Sequence, residues 1–202
     1  MMNKIETIHW LQQHKSNFAE EVVFLAQTIA FVEENEQFWQ RSTLEGHLTG
    51  SAWILSADGG SVLLLHHAKL NRWLQPGGHA DESDGSLAET ARREAMEECG
   101  IQRLALLSTT LFDVDVHEIP TRGHEPTHLH YDLRFLFSAQ EGAEIERNLL
   151  ETKDIAWVRI EELCKETTPQ SLRRMALKTV NIERDSERYG GFSTFAPTKN
   201  TT

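Results

Sequence analysis

The sequence predicts a mixed α/β (α+β) sandwich. Several short apolar runs bounded by turn residues mark β-strands, one central segment has the spacing and caps of a helix, and helical segments flank the strands at both ends of the chain. From Ile5 to about Phe38 the chain is rich in Glu and Gln. Phe18, Val22, Leu25, Ile29 and Val32 recur there at helical spacing, which predicts two helices broken near Ser16. Residues 1–45 are therefore read as an N-terminal helical extension and 46–188 as the main domain. Residues 51–57 and 62–66, on either side of Asp58-Gly59-Gly60, predict a β-hairpin. Residues 104–119 and 127–139 alternate with period two over much of their length, which predicts two long antiparallel strands. Pro120, Gly123 and Pro126 mark the loop between them. A further strand is expected over 154–159, then a short helix from Ile160 and a longer one from Pro169 to about Arg184, with a mobile tail at 189–202.

Composition narrows the function classes. The 202 residues include 20 Lys and Arg against 31 Asp and Glu, a net charge of −11 that disfavours a nucleic-acid backbone as partner unless cations intervene. No apolar run reaches the ~18 to 20 residues that cross a bilayer, and the N-terminus is too polar for a signal peptide, so a soluble cytoplasmic protein without membrane contact is expected. Cys99 and Cys164 are too few for a disulfide framework. An oligomer is left open.

The central helix spans about residues 87–99, with Ser86 and Glu89 spaced as a capping box and Gly100 placed to end it. Ala88, Ala91, Ala95 and Cys99 share a narrow face suited to close packing on a sheet. Glu94, Glu97 and Glu98 cluster on another. Like charges at this spacing repel, and acids in the last turn oppose the helix dipole by ~0.3 to 1 kcal/mol each. Solvent and Arg93, four residues before Glu97, are one compensation; a hard divalent cation on the carboxylates is the other. Gly77 and Gly78, just upstream, are expected to adopt a backbone conformation closed to other residues, aiming a carbonyl at the site and letting a phosphate approach the main chain.

At these residues the sequence resembles the Nudix hydrolase family. The second half of that family's box stands here without gaps as Arg93-Glu94-Ala95-Met96-Glu97-Glu98-Cys99-Gly100-Ile101, and Trp73-Leu74-Gln75-Pro76-Gly77-Gly78-His79 resembles the strand before its loop. The first half departs: Gly78 lies one residue farther from Arg93 than in the family's pattern, and Gly85, with Asp84 beside it, stands where a Glu is expected. The resemblance covers about residues 47–159 and implies a Nudix-like α/β/α sandwich with extra N-terminal helices. It also implies a hydrolase that cleaves a diphosphate linkage in a nucleotide or nucleoside-diphosphate derivative, using Mg²⁺ or Mn²⁺. Glu94, Glu97, Glu98 and the Gly78 carbonyl are the implied metal ligands. Glu94 is the leading general base, with Glu97 beside it, and Arg93 resembles the family's Arg that holds the glutamates.

A second constellation is read from alternation. His128, His130, Asp132 and Arg134 share one face of their strand, opposed to Leu129, Tyr131, Leu133, Phe135 and Phe137. Asp113, Asp115 and His117 likewise oppose Phe112, Val114 and Val116. If the strands pair, the His and Asp sets meet on one face, which is either solvated or a site for phosphate, base or an additional metal. His79, Asp115, His117, His128 and His130 are thus candidate substrate contacts. His66, His67 and His79, each alone, read rather as packing or hydration, and Trp73 and Trp157 either stack a nucleobase or join the core. The alternatives to a hydrolase are a catalytically silent Nudix-like ligand-binding or regulatory domain, and a prenyl diphosphate isomerase, for which neither cysteine is evidently placed.

Overall fold

The structure, a computed structural model, describes residues 3–121, 123, 125–148, 150 and 152–189, with side chains in the last helix described to residue 182. Two helices open it, α1 (Lys4–Gln13) and α2 (Ala19–Glu34). Asn3 caps α1 by accepting the Ile5 and Glu6 N–H groups, and the break falls at residues 14–18, where Ser16 accepts the Phe18 N–H. The strands are β1 (Gly46–Leu55), β2 (Ser61–His67), β3 (Arg72–Leu74), β4 (Gly77–His79), β5 (Leu104–Leu106), β6 (Asp113–Ile119), β7 (His128–Ala139) and β8 (Thr152–Arg159). Helix α3 (Leu87–Cys99) lies between β4 and β5, while α4 (Ile160–Leu163) and α5 (Gln170–Tyr189) follow β8. The tail expected beyond Tyr189 lies outside the described residues. None of the described helices is long and apolar enough to cross a membrane.

Among the described residues all eight strands join one mixed sheet. Its axis is the parallel pair β1 and β7, in register from Gly46↔Leu129 to Leu55↔Ser138. The first strand begins five residues earlier than residue 51, where sequence patterning starts it. On its other edge β1 meets β2 only at Leu55↔Val62, after which β2 continues against β8 and leaves that edge free for β4, paired from Thr49↔His79 to Ser51↔Gly77. This fork brings Gly77, Gly78 and His79 to the centre of the sheet.

Side-chain alternation along β1 divides the core. Leu48, Ala52 and Ile54 join a main cluster with Ala91, Ala95 and Cys99 of α3 and with Leu11, Phe31 and Val32 of α1 and α2. Trp53 and Leu55 join a second cluster with Leu172, Met175 and Ala176 of α5. Helices on both faces of one sheet make the α/β/α sandwich.

One strand expectation fails. Residues 104–119 form two strands, because β5 ends at Leu106↔Phe137 and β6 starts at Asp113↔Arg134 on the same edge of β7. Residues 107–112 loop out between them, and the Thr109 carbonyl there accepts the Trp10 indole N–H at 2.9 Å. Phe112 consequently lies ahead of β6 and packs near Trp53 in the second cluster, apart from Val114 in the main one.

Candidate active site

Helix α3 is fastened at both ends. Ser86 accepts the Glu89 N–H, and Gly100 ends the helix with φ +65°. The capping box is not reciprocal: the Glu89 carboxylate accepts the Gly85 N–H at 2.7 Å, one residue before the cap. Close approach to the sheet depends on Gly50, where a Cβ would stand 2.5 Å from the Leu87 carbonyl oxygen.

The charged face of α3 is organised by Arg93. Its Nε and Nη2 donate to the two oxygens of buried Asp84 at 3.1 and 2.9 Å, and Nη2 also donates to the His79 carbonyl at 2.8 Å. Nη1 donates to Glu94 at 2.8 Å and to Glu97 at 3.2 Å. Burial works against an ionised Asp84, but the hydrogen bonds from Arg93, the Asp81 N–H and Thr90 outweigh it and hold the carboxyl below its usual range. Asp84 therefore serves as the anchor of Arg93, in the altered half of the box.

Glu98 is buried and accepts the Gly77 N–H at 2.9 Å. The Glu94 carboxylate lies so close to Gly78 that a Cβ there would stand 2.6 Å from its carboxyl carbon, and a Cβ on Gly77 would fall 2.2 Å from the Ser51 hydroxyl. Neither glycine has the positive φ expected of it. Both are required for room, one on each side of the β4 backbone. Glu94, Glu98, Gly77 and Gly78 line a cavity of about 700 Å³. Glu97, also expected as a ligand, is not among the residues that line it; its side chain is 55 % exposed and held by Arg93.

The opposite wall comes from β1, β6 and β7, where pairing sets His117 against His130 and Asp115 against Asp132. Most of this wall is buried rather than solvated, Asp113, Asp115, Asp132 and Arg134 among it, whereas His117 is exposed. Asp132 accepts from Thr49, Ser51, Gln75 and Arg134, which leaves it no role as an open ligand. Arg134 is buried and also donates to Asp113 at 3.0 Å and Asp115 at 2.8 Å, while Arg174 of α5 donates to both. Burial opposes the charge on Asp115, and Arg134, His117 and Arg174 overcome it, holding its pKa far below the usual range.

Histidines converge beside this network. Nitrogens of His47, His79 and His130, one from each of β1, β4 and β7, lie within 4.8 Å of one another. The His130 Nε2 is 3.3 Å from Nε2 of both His79 and His128. Burial is the main cause that lowers the pKa of His47 to about 4, of His79 to about 3 and of His130 to about 2, so all three are neutral near pH 7. His47 was not foreseen. The signal for it is the alternation His47, Thr49, Ser51, which extends the strand pattern upstream of residue 51.

The remaining candidates divide by place. His67 accepts the Lys69 and Leu70 N–H groups in a turn, and His66 packs on Trp73. Trp73 lines the cavity together with the exposed Arg41, Lys69 and Arg72, whereas Trp157 packs against the main core. Cys99 is buried on the packing face of α3, its thiol pushed up to about 12 by burial and by Glu98.

Comparison with known proteins bears on the fold and the family. A curated relative, mutator protein MutT4 by name, from Mycobacterium tuberculosis (strain CDC 1551 / Oshkosh), is 34 % identical over 104 residues, covering 52 % of this chain and 39 % of the relative. The match thus spans about two-fifths of that protein's length. Among solved structures, a C. elegans Ap4A hydrolase in a binary complex superposes with a TM-score of 0.55 at 17 % identity, covering 68 % of this chain and 98 % of that one. A NUDIX-family hydrolase from Clostridium perfringens gives 0.50 at 22 % identity, covering 68 % and 97 %. These two likenesses are of fold. The family model of the NUDIX domain matches residues 46–178, most of the chain and the whole of the cavity's acidic wall, and the chain belongs to the Nudix family.

Proposed function

We propose that the chain is a Mg²⁺- or Mn²⁺-dependent pyrophosphohydrolase that cleaves a diphosphate linkage in a nucleotide or nucleoside-diphosphate derivative in the cytoplasm. The observation that carries this reading is the pairing of Glu94 and Glu98 on the cavity wall, with Glu94 packed against a Gly78 that leaves no space for a side chain. Carboxylate and carbonyl oxygens are the donors that hard divalent cations take, so Glu94, Glu98 and the Gly78 carbonyl suit such an ion, with Glu97 one helical turn from Glu94 and held by Arg93. When bound, the ion neutralises the diphosphate and lowers the pKa of a water molecule.

The chain's own groups supply the rest. Glu94 accepts the proton of the attacking water as its oxygen bonds to phosphorus and the bridging P–O bond breaks. Arg93 fixes Glu94 and Glu97 in place, and Asp84 fixes Arg93. Arg41, Lys69 and Arg72 attract a phosphate chain toward an otherwise acidic protein, while Trp73 offers a face for a base. His79, His117 and His128 line the same cavity and contact the substrate, with Asp115 holding His117 from behind at 3.5 Å. The relative's name, a mutator protein, and the fold neighbour's, an Ap4A hydrolase, both suit a nucleotide substrate.

A panel of nucleoside di- and triphosphates, dinucleotides and sugar nucleotides, assayed with Mg²⁺ or Mn²⁺, tests this. At least one compound should release phosphate products, and a chelator should abolish the release. Equal rates with and without chelator would overturn the metal-dependent reading.

A further inference from the structure

We infer that His47, His79 and His130 form a binding site for a transition-metal cation of the zinc class, distinct from the carboxylate site although open to the same cavity. Three strands lying side by side build it. His47 pairs in register with His130 across the β1–β7 ladder, and His79 enters from β4 opposite Thr49. A tetrahedral ion with Zn–N bonds of about 2.0 to 2.1 Å separates its ligand nitrogens by roughly 3.3 to 3.4 Å. The His79 and His130 Nε2 atoms are already 3.3 Å apart, and His47 lies within the 4.8 Å span of the group.

His47 shows that this is more than packing. It is 2 % exposed, and neither ring nitrogen meets a hydrogen-bond partner at ordinary geometry, although a Thr43 backbone hydrogen bond outside that geometry raises its pKa. Buried polar groups are rarely left this way, and a lone pair directed at a shared cation satisfies one of the two nitrogens. Neighbouring groups are arranged accordingly. His128 has its Nδ1 tied to the Pro126 carbonyl at 2.9 Å and its Nε2 3.3 Å from His130, and Arg41 is paired with Glu125 at 2.9 Å.

Donor chemistry separates the two sites. Imidazole nitrogens favour Zn²⁺, Co²⁺, Ni²⁺ or Cu²⁺, whereas carboxylates and carbonyls favour Mg²⁺ and Mn²⁺. Three protein ligands leave a position for water or a substrate oxygen, the arrangement of zinc sites that act on a ligand. Because the histidines line the cavity, a phosphate oxygen is the ligand this position would take.

The test uses the full chain, stripped of metal and titrated with Co²⁺ while visible absorption is recorded, with no substrate present. One equivalent should produce the intense bands of a low-coordinate nitrogen site, displaced by Zn²⁺ and not displaced by Mg²⁺. His47→Asn and His130→Asn should each weaken binding about 100-fold or more, since even outer-shell changes cost roughly 10- to 100-fold. Glu98→Gln should leave it within a few-fold, so a failed hydrolase reading and a failed histidine site remain distinguishable. Circular dichroism of the metal-free variants checks folding. Should they unfold, X-ray absorption of the zinc-loaded wild type decides, imidazole scattering supporting the site and oxygen-only coordination overturning it. Absent bands, unchanged binding in both histidine variants, or loss in Glu98→Gln would each overturn it.

Discussion

Arg93 is the side chain on which the acidic face of α3 depends, because one guanidinium meets three carboxylates and a main-chain carbonyl. Asp84→Asn keeps the shape but removes the charge that anchors it. We expect a loss of about 1–3 kcal/mol, the scale of a buried charged hydrogen bond, and a lower kcat as Glu94 and Glu97 lose their bracing. Melting and turnover measured together check both. Glu98→Gln should behave differently. The amide oxygen can still accept the Gly77 N–H, so melting should hold, while turnover falls by about two orders of magnitude, the scale of an electrostatic catalytic group. Full activity with early melting would make Glu98 structural. These residues were legible because helical spacing alone places them together. Asp84 was not, since its role depends on a loop fold, and His47 was hidden because its partners lie 32 and 83 positions away on other strands.

Elements were read best where caps and periodicity agree. Helix α3 begins and ends where Ser86 and Gly100 predict, and the two N-terminal helices break as expected. The interruption between β5 and β6 left no mark, because Ser108-Thr109-Thr110 contains neither Gly nor Pro and the alternation resumes beyond it. That break is set by which residues of β7 each strand meets, and by Trp10 reaching in from α1. The seat of α3 on β1 is a matter of backbone proximity. Gly50→Ala would thrust a methyl to within 2.5 Å of a helix carbonyl, which should destabilise the fold by about 1–3 kcal/mol as overpacking does. Turnover should drop as well, since Glu94 and Glu98 travel with the helix. A variant that melts and turns over normally would show that the seat tolerates adjustment.

Across the whole molecule, the chain's two ends are joined by buried charge. Asp113 is fully buried and pairs with Arg134, Arg174 and Lys178, while Glu21 of α2 pairs with His14 and Lys178 and accepts the Val114 N–H. Burial opposes an ionised Glu21, but His14, Lys178 and Ser16 bring its pKa down to about 2 from 4.5. The folded value lies below the unfolded one, so this stability is present above about pH 4.5 and is lost as pH falls toward 2. It is on the order of 3 kcal/mol. Denaturant titrations of wild type and Glu21→Gln should therefore show a gap at pH 6 that has narrowed by pH 3 and closes only below about pH 2; a constant gap would refute the linkage. The family match starts at residue 46, where the sequence places the end of the helical extension, yet the core runs across that point. Leu11, Phe31, Val32, Phe38 and Trp39 pack in the same cluster as α3. Residues 46–202 expressed alone should consequently fail to fold cooperatively, which a thermal melt would reveal.

His79 occupies a peculiar place in all this. Its ring stands among the histidines, its carbonyl is gripped by Arg93, and the residue before it abuts the Glu94 carboxylate. Whatever draws that ring toward a ligand must therefore pull on the acidic face within one peptide unit, and the reverse displacement follows the same path. Affinities at the two positions are then coupled, and coupling of this kind is mutual by thermodynamic necessity. Saturating one should change the half-saturation concentration of the other by the same factor in either order of addition.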